Sequence, residues 1–202
     1  MSLPSSYEKL VAIKAAESLR DSAEVQSVPL EQPGPGEILV KTHYAGVNAA
    51  DYLMAIGRYI AKTNYPADLG AESAGEVVAV GEDVGTVEVG QHVLALLGGY
   101  REYFTIPAHY AIPIPQASAA AVACGVSGLT ASIALEITGE MTSGETVLVT
   151  AAAGGTGSFV VQLAKLAGNT VIGTCGNDDK VAFLEDMGCD RPINYRKESL
   201  KD

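Results

Sequence analysis

The sequence predicts a chain of two parts, a β-rich N-terminal domain followed by the first strands and helices of an α/β domain. Before about residue 120, short apolar runs alternate with Gly/Pro turns, which is typical of a small β-barrel-like domain. Beyond that point the hydrophobic period becomes helical, and β-branched runs then alternate with helices. We therefore predict domains at residues 1–120 and 121–202.

The first domain is predicted to consist mainly of strands. An opening strand pair is expected within residues 1–31, and residues 65–72 are expected to be irregular. Asn48 is the expected N-cap of a short helix within 46–59, with Asp51 in its first turn. Further strands follow the Gly/Pro turns, at 38–42, 76–80, 91–97, 103–107 and 110–115.

The second domain begins with a strand, a glycine turn and a helix, in the segment ETVLVTAAAGGTG and the residues that follow it. Ala152, Gly154 and Gly157 have the spacing of a dinucleotide-binding βαβ unit. Gly154 would let the backbone approach a pyrophosphate, and Gly157 would let the helix pack closely on the strand. The start of the helix would offer unpaired N–H groups to phosphates. The alternative is a tight turn that binds nothing.

The second strand, at 170–174, favours NADPH over NADH as the cofactor. NAD-preferring units usually place an acid about twenty residues after the glycine turn, on the ribose hydroxyls. No acid stands at the tip of this strand, and Lys180 follows as a cation that could face a 2′-phosphate. Asp178 and Asp179 oppose this interpretation, unless they only stabilise the start of the next helix. A third strand is expected from Pro192.

Composition excludes several classes of partner. The 202 residues carry a net charge of −11, which argues against nucleic acid and anionic membranes. No uninterrupted apolar run reaches the roughly 18 residues of a membrane span, and the N-terminus has no secretory pattern. The three cysteines lack CxxC spacing, so we expect a reducing compartment, the cytoplasm, with peroxisome or mitochondrion as alternatives.

Six segments together resemble one enzyme family. They are GVNAADYLMAIGRY, GAESAGEVVAVGEDV, VGQHV, SGLTA, VLVTAAAGGTG and GCDRPINYR. They resemble the zinc-free quinone oxidoreductase-like branch of the medium-chain dehydrogenase/reductase superfamily, and TAAAGGTG, GTCGNDDK and GCDRPINY are most similar to its prostaglandin reductases. The resemblance implies a GroES-like β-rich domain followed by the first half of a Rossmann domain, that is, α/β plus β.

No metal is expected in the active site. Zinc-dependent relatives have a Cys in the segment that matches 46–48 and a His beside Glu72, and this chain has neither. A catalytic zinc needs three protein ligands. His43, His92 and His109 are scattered along the chain, and each is expected to be a surface or packed strand histidine. The resemblance therefore implies that NADPH, and not a metal, carries the chemistry.

The resemblance also implies which residues bind the cofactor. The pyrophosphate and nearby ribose would be held by Gly154, Gly155, Thr156 and Gly157, and the 2′-phosphate by Gly176, Lys180 and Tyr195. The alternatives are a solvated helix residue for Lys180 and a strand-end aromatic for Tyr195.

For catalysis the resemblance implies three residues. Asn48 and Tyr59 would donate hydrogen bonds to a substrate carbonyl, and Thr130 would face the nicotinamide. Charge grows on the carbonyl oxygen during reduction, so preorganised donors lower the barrier. The implied activity is reduction of quinones or α,β-unsaturated carbonyls, 15-oxo-prostaglandin-like substrates included. Helix capping by Asn48 and packing by Tyr59 are the alternatives, as is a non-catalytic cofactor-binding or scaffold protein.

The chain is expected to end after the third strand of a cofactor fold that normally has six. The strand at 147–149 would then be an apolar edge, open to aggregation or to pairing with another chain. From this we expect a homodimer and little or no turnover by the 202-residue chain alone.

Overall fold

The chain divides into two compact units, residues 1–125 and 126–202. The computed structural model describes residues 3–59 and 62–199. Each unit has a hydrophobic core of its own. The division follows the change in hydrophobic period, because strand-period segments fill the first unit and alternating strands and helices fill the second.

The main sheet of the first unit is five-stranded and antiparallel, in the order β7-β3-β5-β6-β8. Its strands are β3 (Glu37–Ala45), β5 (Ser73–Val80), β6 (His92–Ala95), β7 (Tyr103–Pro107) and β8 (Ile112–Ile114). All five lie where the sequence predicts strands. A short 3₁₀-helix, Ala108–Tyr110, separates the last two.

Alternation along these strands builds the core of the first unit. Val40 pairs with Val77 across β3 and β5, and both side chains are buried. Phe104 of β7 and Val93 of β6 extend the same cluster. The intervening residues point away from it, since successive side chains of a strand face opposite sides. A bulge in β3 between Thr42 and Tyr44 interrupts this pairing, with consequences for its histidine described below.

A second antiparallel sheet, in the order β2-β1-β4, completes the strands described in this unit. The predicted strand pair of residues 1–31 is confirmed as β1 (Ser6–Ala12) and β2 (Ala23–Pro29). A one-turn helix, α1 (Leu19–Ser22), joins them and was not predicted. The prediction of an irregular 65–72 segment is wrong at one point, because β4 (Ala67–Asp68) pairs with β1.

The predicted short helix is α2 (Ala49–Ala55), with Asn48 as its N-cap. The helical hydrophobic period beyond about residue 120 corresponds to a long helix, made of α3 (Ala119–Ala123), a π-turn (Cys124–Gly128), α4 (Leu129–Ile133) and a second π-turn (Ala134–Thr138). Among the described residues, Ala119–Thr138 is the one helix that is long enough and apolar enough, by length and composition, to cross a membrane. One such helix is weak evidence of a membrane span, because core helices share these properties.

The second unit is a βαβαβ unit with parallel strands in the order β11-β10-β9. Its elements are β9 (Thr146–Val149), α5 (Gly155–Leu166), β10 (Thr170–Cys175), α6 (Asp178–Asp186) and β11 (Arg191–Asn194). All were predicted, with ends shifted by a few residues. Among the strands described, β9 pairs only with β10, so it forms the expected apolar edge, and Leu148 on it is 59% exposed.

Candidate cofactor and substrate sites

The glycine turn joins the end of β9 to the start of α5 with very little space. Ala151 adopts the left-handed region, with φ at 49°, which is uncommon for a residue other than glycine. A Cβ added to Gly157 would lie 2.5 Å from the Ala151 carbonyl oxygen and 2.8 Å from the Ala152 Cα. Helix and turn therefore touch through backbone atoms at Gly157, as the spacing predicts.

The start of α5 has the features of an anion site. Gly154 is its N-cap and has no side chain to satisfy the first helical N–H groups. A Cβ at Gly154 would meet only the Ala151 carbonyl oxygen, at 3.2 Å, so its other side is open. Gly155 and Thr156 form the first turn of this twelve-residue helix. The exposed N–H groups and the helix dipole together favour a negatively charged group.

Four of the predicted cofactor residues line one small cavity of about 160 Å³. They are Gly154, Gly176, Lys180 and Tyr195. Tyr195 lies against Gly176, where an added Cβ would be 2.8 Å from its hydroxyl oxygen. Lys180 stands in the first turn of α6, where Asn177 caps the helix by accepting from the Lys180 N–H at 2.9 Å.

Arg196 is a second cation here that the sequence did not single out. Its Nε lies 3.9 Å from the position a Cβ would take on Gly176. Its signal was its place directly after Tyr195, in a segment whose fold was not predicted beyond a strand start. Asp178, which seemed to oppose an anion, is engaged by Lys197 and by Asn194, whose Nδ2 donates to it at 2.8 Å. These hydrogen bonds, first that of Lys197, lower the pKa of Asp178.

A wider groove of about 450 Å³ follows β9 and the glycine turn. Its lining includes the apolar residues Val147, Val149 and Val160 together with Thr156 and Gly157. All of the predicted cofactor residues except Gly155 thus line one or both of these two cavities in the second unit. Gly154 lines both cavities.

In the first unit, the Asn48 amide is held by a buried acid. Asn48 Nδ2 donates to Glu72 Oε1 at 2.9 Å, and Glu72 is only 3% exposed. Because an amide nitrogen carries two hydrogens, one donor remains for another acceptor. The capping alternative is compatible with this, since Asn48 both precedes α2 and directs its amide toward Glu72.

Asp51 connects the loops around Asn48. This role of Asp51 was not predicted from the sequence. Its Oδ2 accepts from the Asn48 N–H at 2.9 Å and from the Tyr100 hydroxyl at 3.1 Å, and its Oδ1 accepts from the Ala71 N–H at 2.9 Å. Asp51 is 6% exposed. Burial, followed by the charge and hydrogen bond of Asp51 and the charge of Glu72, raises the pKa of Tyr100 to about 12.

Two glycines enclose the Glu72 carboxylate. A Cβ on Gly46 would lie 2.1 Å from Oε1, and one on Gly125 would lie 2.5 Å from Oε2. The carboxylate therefore fills the space that side chains at 46 and 125 would need. The zinc argument drew attention to Glu72, but its burial between glycines required the structure.

The other two predicted catalytic residues are less enclosed. Tyr59 is 40% exposed and lies after α2, beside the residues outside the described range. Thr130 lies in α4 of the second unit and is exposed. Neither residue belongs to the Asp51–Asn48–Glu72 network.

The expectation that the histidines are scattered is wrong for two of them. The rings of His43 and His92 lie 6.0 Å apart, and His43 Nε2 is 3.8 Å from Glu76 Oε2. The proximity of the two histidines could not be predicted from the sequence, because β3, β5 and β6 become neighbours only in the folded sheet. His109 lies elsewhere, with its ring tilted against that of Tyr110 and the two centroids 4.2 Å apart.

Two family models match the chain. The alcohol dehydrogenase GroES-like domain matches residues 34–116, and the zinc-binding dehydrogenase model matches residues 155–202. The chain belongs to the medium-chain dehydrogenase/reductase superfamily, a superfamily of oxidoreductases, and it is similar to the quinone oxidoreductases and prostaglandin reductases within it. The GroES-like and Rossmann-like fold classes predicted from the sequence are thereby confirmed.

Individual relatives agree. Prostaglandin reductase-3 of Mus musculus is 43% identical over 98% of this chain and 54% of its own length. A probable quinone oxidoreductase of Leishmania amazonensis is 42% identical over 99% of the chain and 60% of its own length. The Escherichia coli quinone oxidoreductase complexed with NADPH has a TM-score of 0.87 at 29% identity, over 96% of this chain and 60% of that one. The chain thus spans a little over half the length of these relatives.

Proposed function

We propose that this protein reduces quinones or α,β-unsaturated carbonyl compounds with NADPH, without a catalytic metal. The observation that carries this proposal is the joint placement of Gly154, Gly176, Lys180 and Tyr195 around one cavity beside the α5 N-terminus. The names of the relatives support the substrate class, since they include prostaglandin reductase and quinone oxidoreductase. A small-molecule substrate fits both names.

The residues present fit a nicotinamide dinucleotide. The open side of Gly154 and the uncapped N–H groups of α5 suit a pyrophosphate. Lys180 and Arg196 suit a 2′-phosphate, and Asp178 forms an ion pair with Lys197. These cations support NADPH over NADH. The bound cofactor would supply a hydride.

Apart from binding the cofactor, the protein has only to orient the substrate and polarise its carbonyl group. The free N–H of Asn48 can donate to a carbonyl oxygen, and Glu72 prevents the amide from rotating away. Asp51 fixes the backbone of Asn48 to that of Ala71, so the donor is preorganised. Tyr59 and Thr130 are further proposed contacts, of which Tyr59 offers a second hydroxyl donor. Metal-free chemistry is supported by the absence of a Cys or His at positions 48 and 71.

The deciding experiment is a fluorescence titration of the chain with NADPH, with NADH alongside. We expect NADPH to bind at least about tenfold more tightly than NADH, equivalent to about 1.4 kcal/mol. Lys180→Gln and Arg196→Gln should each weaken NADPH about tenfold and leave NADH unchanged. Lys14→Gln, an exposed lysine of the first unit, is the matched control. Equal affinity for both nucleotides in every variant would refute the 2′-phosphate site.

A second candidate is cofactor binding without turnover. It is favoured by the exposure of Tyr59 and Thr130, two of the three proposed catalytic residues, which do not belong to the Asp51–Asn48–Glu72 network. Absorbance at the nicotinamide band separates the two candidates. If the chain binds NADPH but oxidises none with quinones or enones, this candidate describes the chain better, whereas turnover that falls in Asn48→Ala supports the reductase. We propose a homodimer as well, which sedimentation velocity would test.

A further inference from the structure

An outward-facing cluster crosses three strands of the main sheet in the first unit. Glu76 of β5 pairs directly with His92 of β6, so the two side chains lie on the same side of the sheet. His43 stands at the β3 bulge between Thr42 and Tyr44, opposite the same part of β5. The neighbouring core positions, Val77 and Val93, face the other way and are fully buried.

The donor atoms of this cluster already converge. One nitrogen or carboxylate oxygen from each of His43, Glu76 and His92 lies within 4.8 Å of the other two. The side chains remain accessible, at 31% for His43 and 39% for Glu76. Lys41 is opposite Glu76 in register, but the carboxylate's ion-pair contact is with His43, at 3.8 Å.

We propose that His43, Glu76 and His92 bind a divalent transition-metal ion, with Zn²⁺ as the best fit. Two imidazoles and one carboxylate are a ligand set that zinc accepts, with water completing the tetrahedron. Carboxylates and carbonyls alone would favour Mg²⁺ or Ca²⁺, and the two imidazole nitrogens remove that preference. The ion would fasten β3, β5 and β6 together at the bulge.

The distances allow this with small side-chain movements. Metal–ligand bonds of about 2.1 Å place tetrahedral ligands about 3.4 Å apart. The donor atoms are separated by up to 4.8 Å, so each must move inward by less than an ångström from its present position. Half-exposed side chains can do so by rotating about χ1 and χ2, without disturbing the buried face of the sheet.

This site is distinct from the reductase chemistry. It uses none of the positions at which zinc-dependent relatives carry the ligands considered above, and none of the NADPH or Asn48 residues. A bound ion would act on the stability of the β-rich unit, because it binds the folded sheet and links three segments far apart in sequence. The proposal therefore stands or falls independently of the proposed function.

The test is calorimetric titration of the untagged 202-residue chain with Zn²⁺, and with Co²⁺ as a spectroscopic probe. The chain should carry Cys124→Ser, because Cys124 is an exposed thiol that could bind metal separately. We expect one ion per chain, a visible Co²⁺ absorption band from ligand-field transitions, and a higher melting temperature in Zn²⁺. His43→Gln, His92→Gln and Glu76→Gln should each weaken binding at least about tenfold.

His109→Gln is the matched control, as it removes a histidine that is exposed but lies outside the cluster. It should leave affinity unchanged. Circular dichroism identifies any variant that fails to fold, and the remaining ligand variants then decide. The proposal is overturned by stoichiometry of one ion per two chains, by retained affinity in folded His92→Gln and Glu76→Gln, or by equal loss in His109→Gln.

Discussion

Replacing Asp51 with Asn is the sharpest test of how the loop that carries Asn48 is held. The carboxylate accepts three hydrogen bonds, from the N–H groups of Asn48 and Ala71 and from the Tyr100 hydroxyl. An amide keeps one acceptor oxygen and places an NH₂ group against one of those N–H donors. Asp51 is 6% exposed, so water cannot replace the lost acceptor.

The magnitude follows from these contacts. Hydrogen bonds to a charged group contribute about 1.5–3 kcal/mol each, and a buried donor left unsatisfied costs about 1–3 kcal/mol. Losing one such bond, and part of the others, should lower the free energy of unfolding by about 2–3 kcal/mol. Tyr100→Phe removes only the hydroxyl and should cost about 1 kcal/mol. Asp186→Asn, at an exposed acid that ends α6, should lie within about 0.5 kcal/mol of the parent.

Urea unfolding followed by circular dichroism measures all three variants, and NADPH titration reports whether the second unit is intact. The loosened Asn48 backbone should also lower turnover of any enone while leaving NADPH affinity unchanged. If Asp51→Asn is as stable as the parent, or if Tyr100→Phe costs as much as Asp51→Asn, the hydrogen bonds described do not hold the loop.

Three further predictions concern other parts of the chain. Gly157→Ala gains about 1 kcal/mol of helix propensity but forces a Cβ against Ala151 and Ala152, an overpacking that costs about 1–3 kcal/mol. Thermal unfolding should therefore show a net loss of stability. Gly85→Ala is the control and should show no such loss, because a Cβ at residue 85 meets nothing within 4 Å. The hydrogen bonds of Lys165 and of the Val171 N–H lower the pKa of Asp190. Because the folded pKa is the lower one, this stabilisation is fully present above the unfolded pKa of about 3.9 and is lost as the pH falls through the folded pKa. Asp190→Asn should therefore flatten the fall in melting temperature on the acid side of about pH 4. Tyr100, with its pKa raised to about 12, should ionise well above the usual tyrosine pKa of about 10 in an ultraviolet pH titration, and Tyr100→Phe should delete that step.

The second unit was predictable because its signals are local. Strand, glycine turn and helix follow one another between Thr146 and Leu166, and each has its own period and end signals. Gly157 could be assigned a packing role from spacing alone, and the backbone contacts of the turn agree. The strand register did not have to be predicted separately, since parallel strands joined by helices have few alternative arrangements.

The Asn48 network could not be predicted because its members come from distant segments. Asp51, Glu72 and Tyr100 meet through the folding of several loops, and no period or spacing links them. The same holds for His43 and His92, which are brought together by antiparallel register and by a bulge. Asp51 and Glu72 differ from the other acids of this network's segments in being buried, and the burial of a single polar residue leaves little trace in the sequence.

The enclosure of the Glu72 carboxylate by Gly46 and Gly125 limits the order in which substitutions can accumulate. Alanine at either glycine would meet a carboxylate oxygen that is buried and cannot move into solvent. Shortening residue 72 to Asp would first have to vacate that volume, and only then could a side chain enter at 46 or 125. We therefore expect epistasis among the three positions. Alanine at 46 or 125 should be harmful while residue 72 is Glu, and better tolerated once residue 72 is Asp. A pairwise mutational library would show this as positive epistasis between Glu72→Asp and Gly46→Ala.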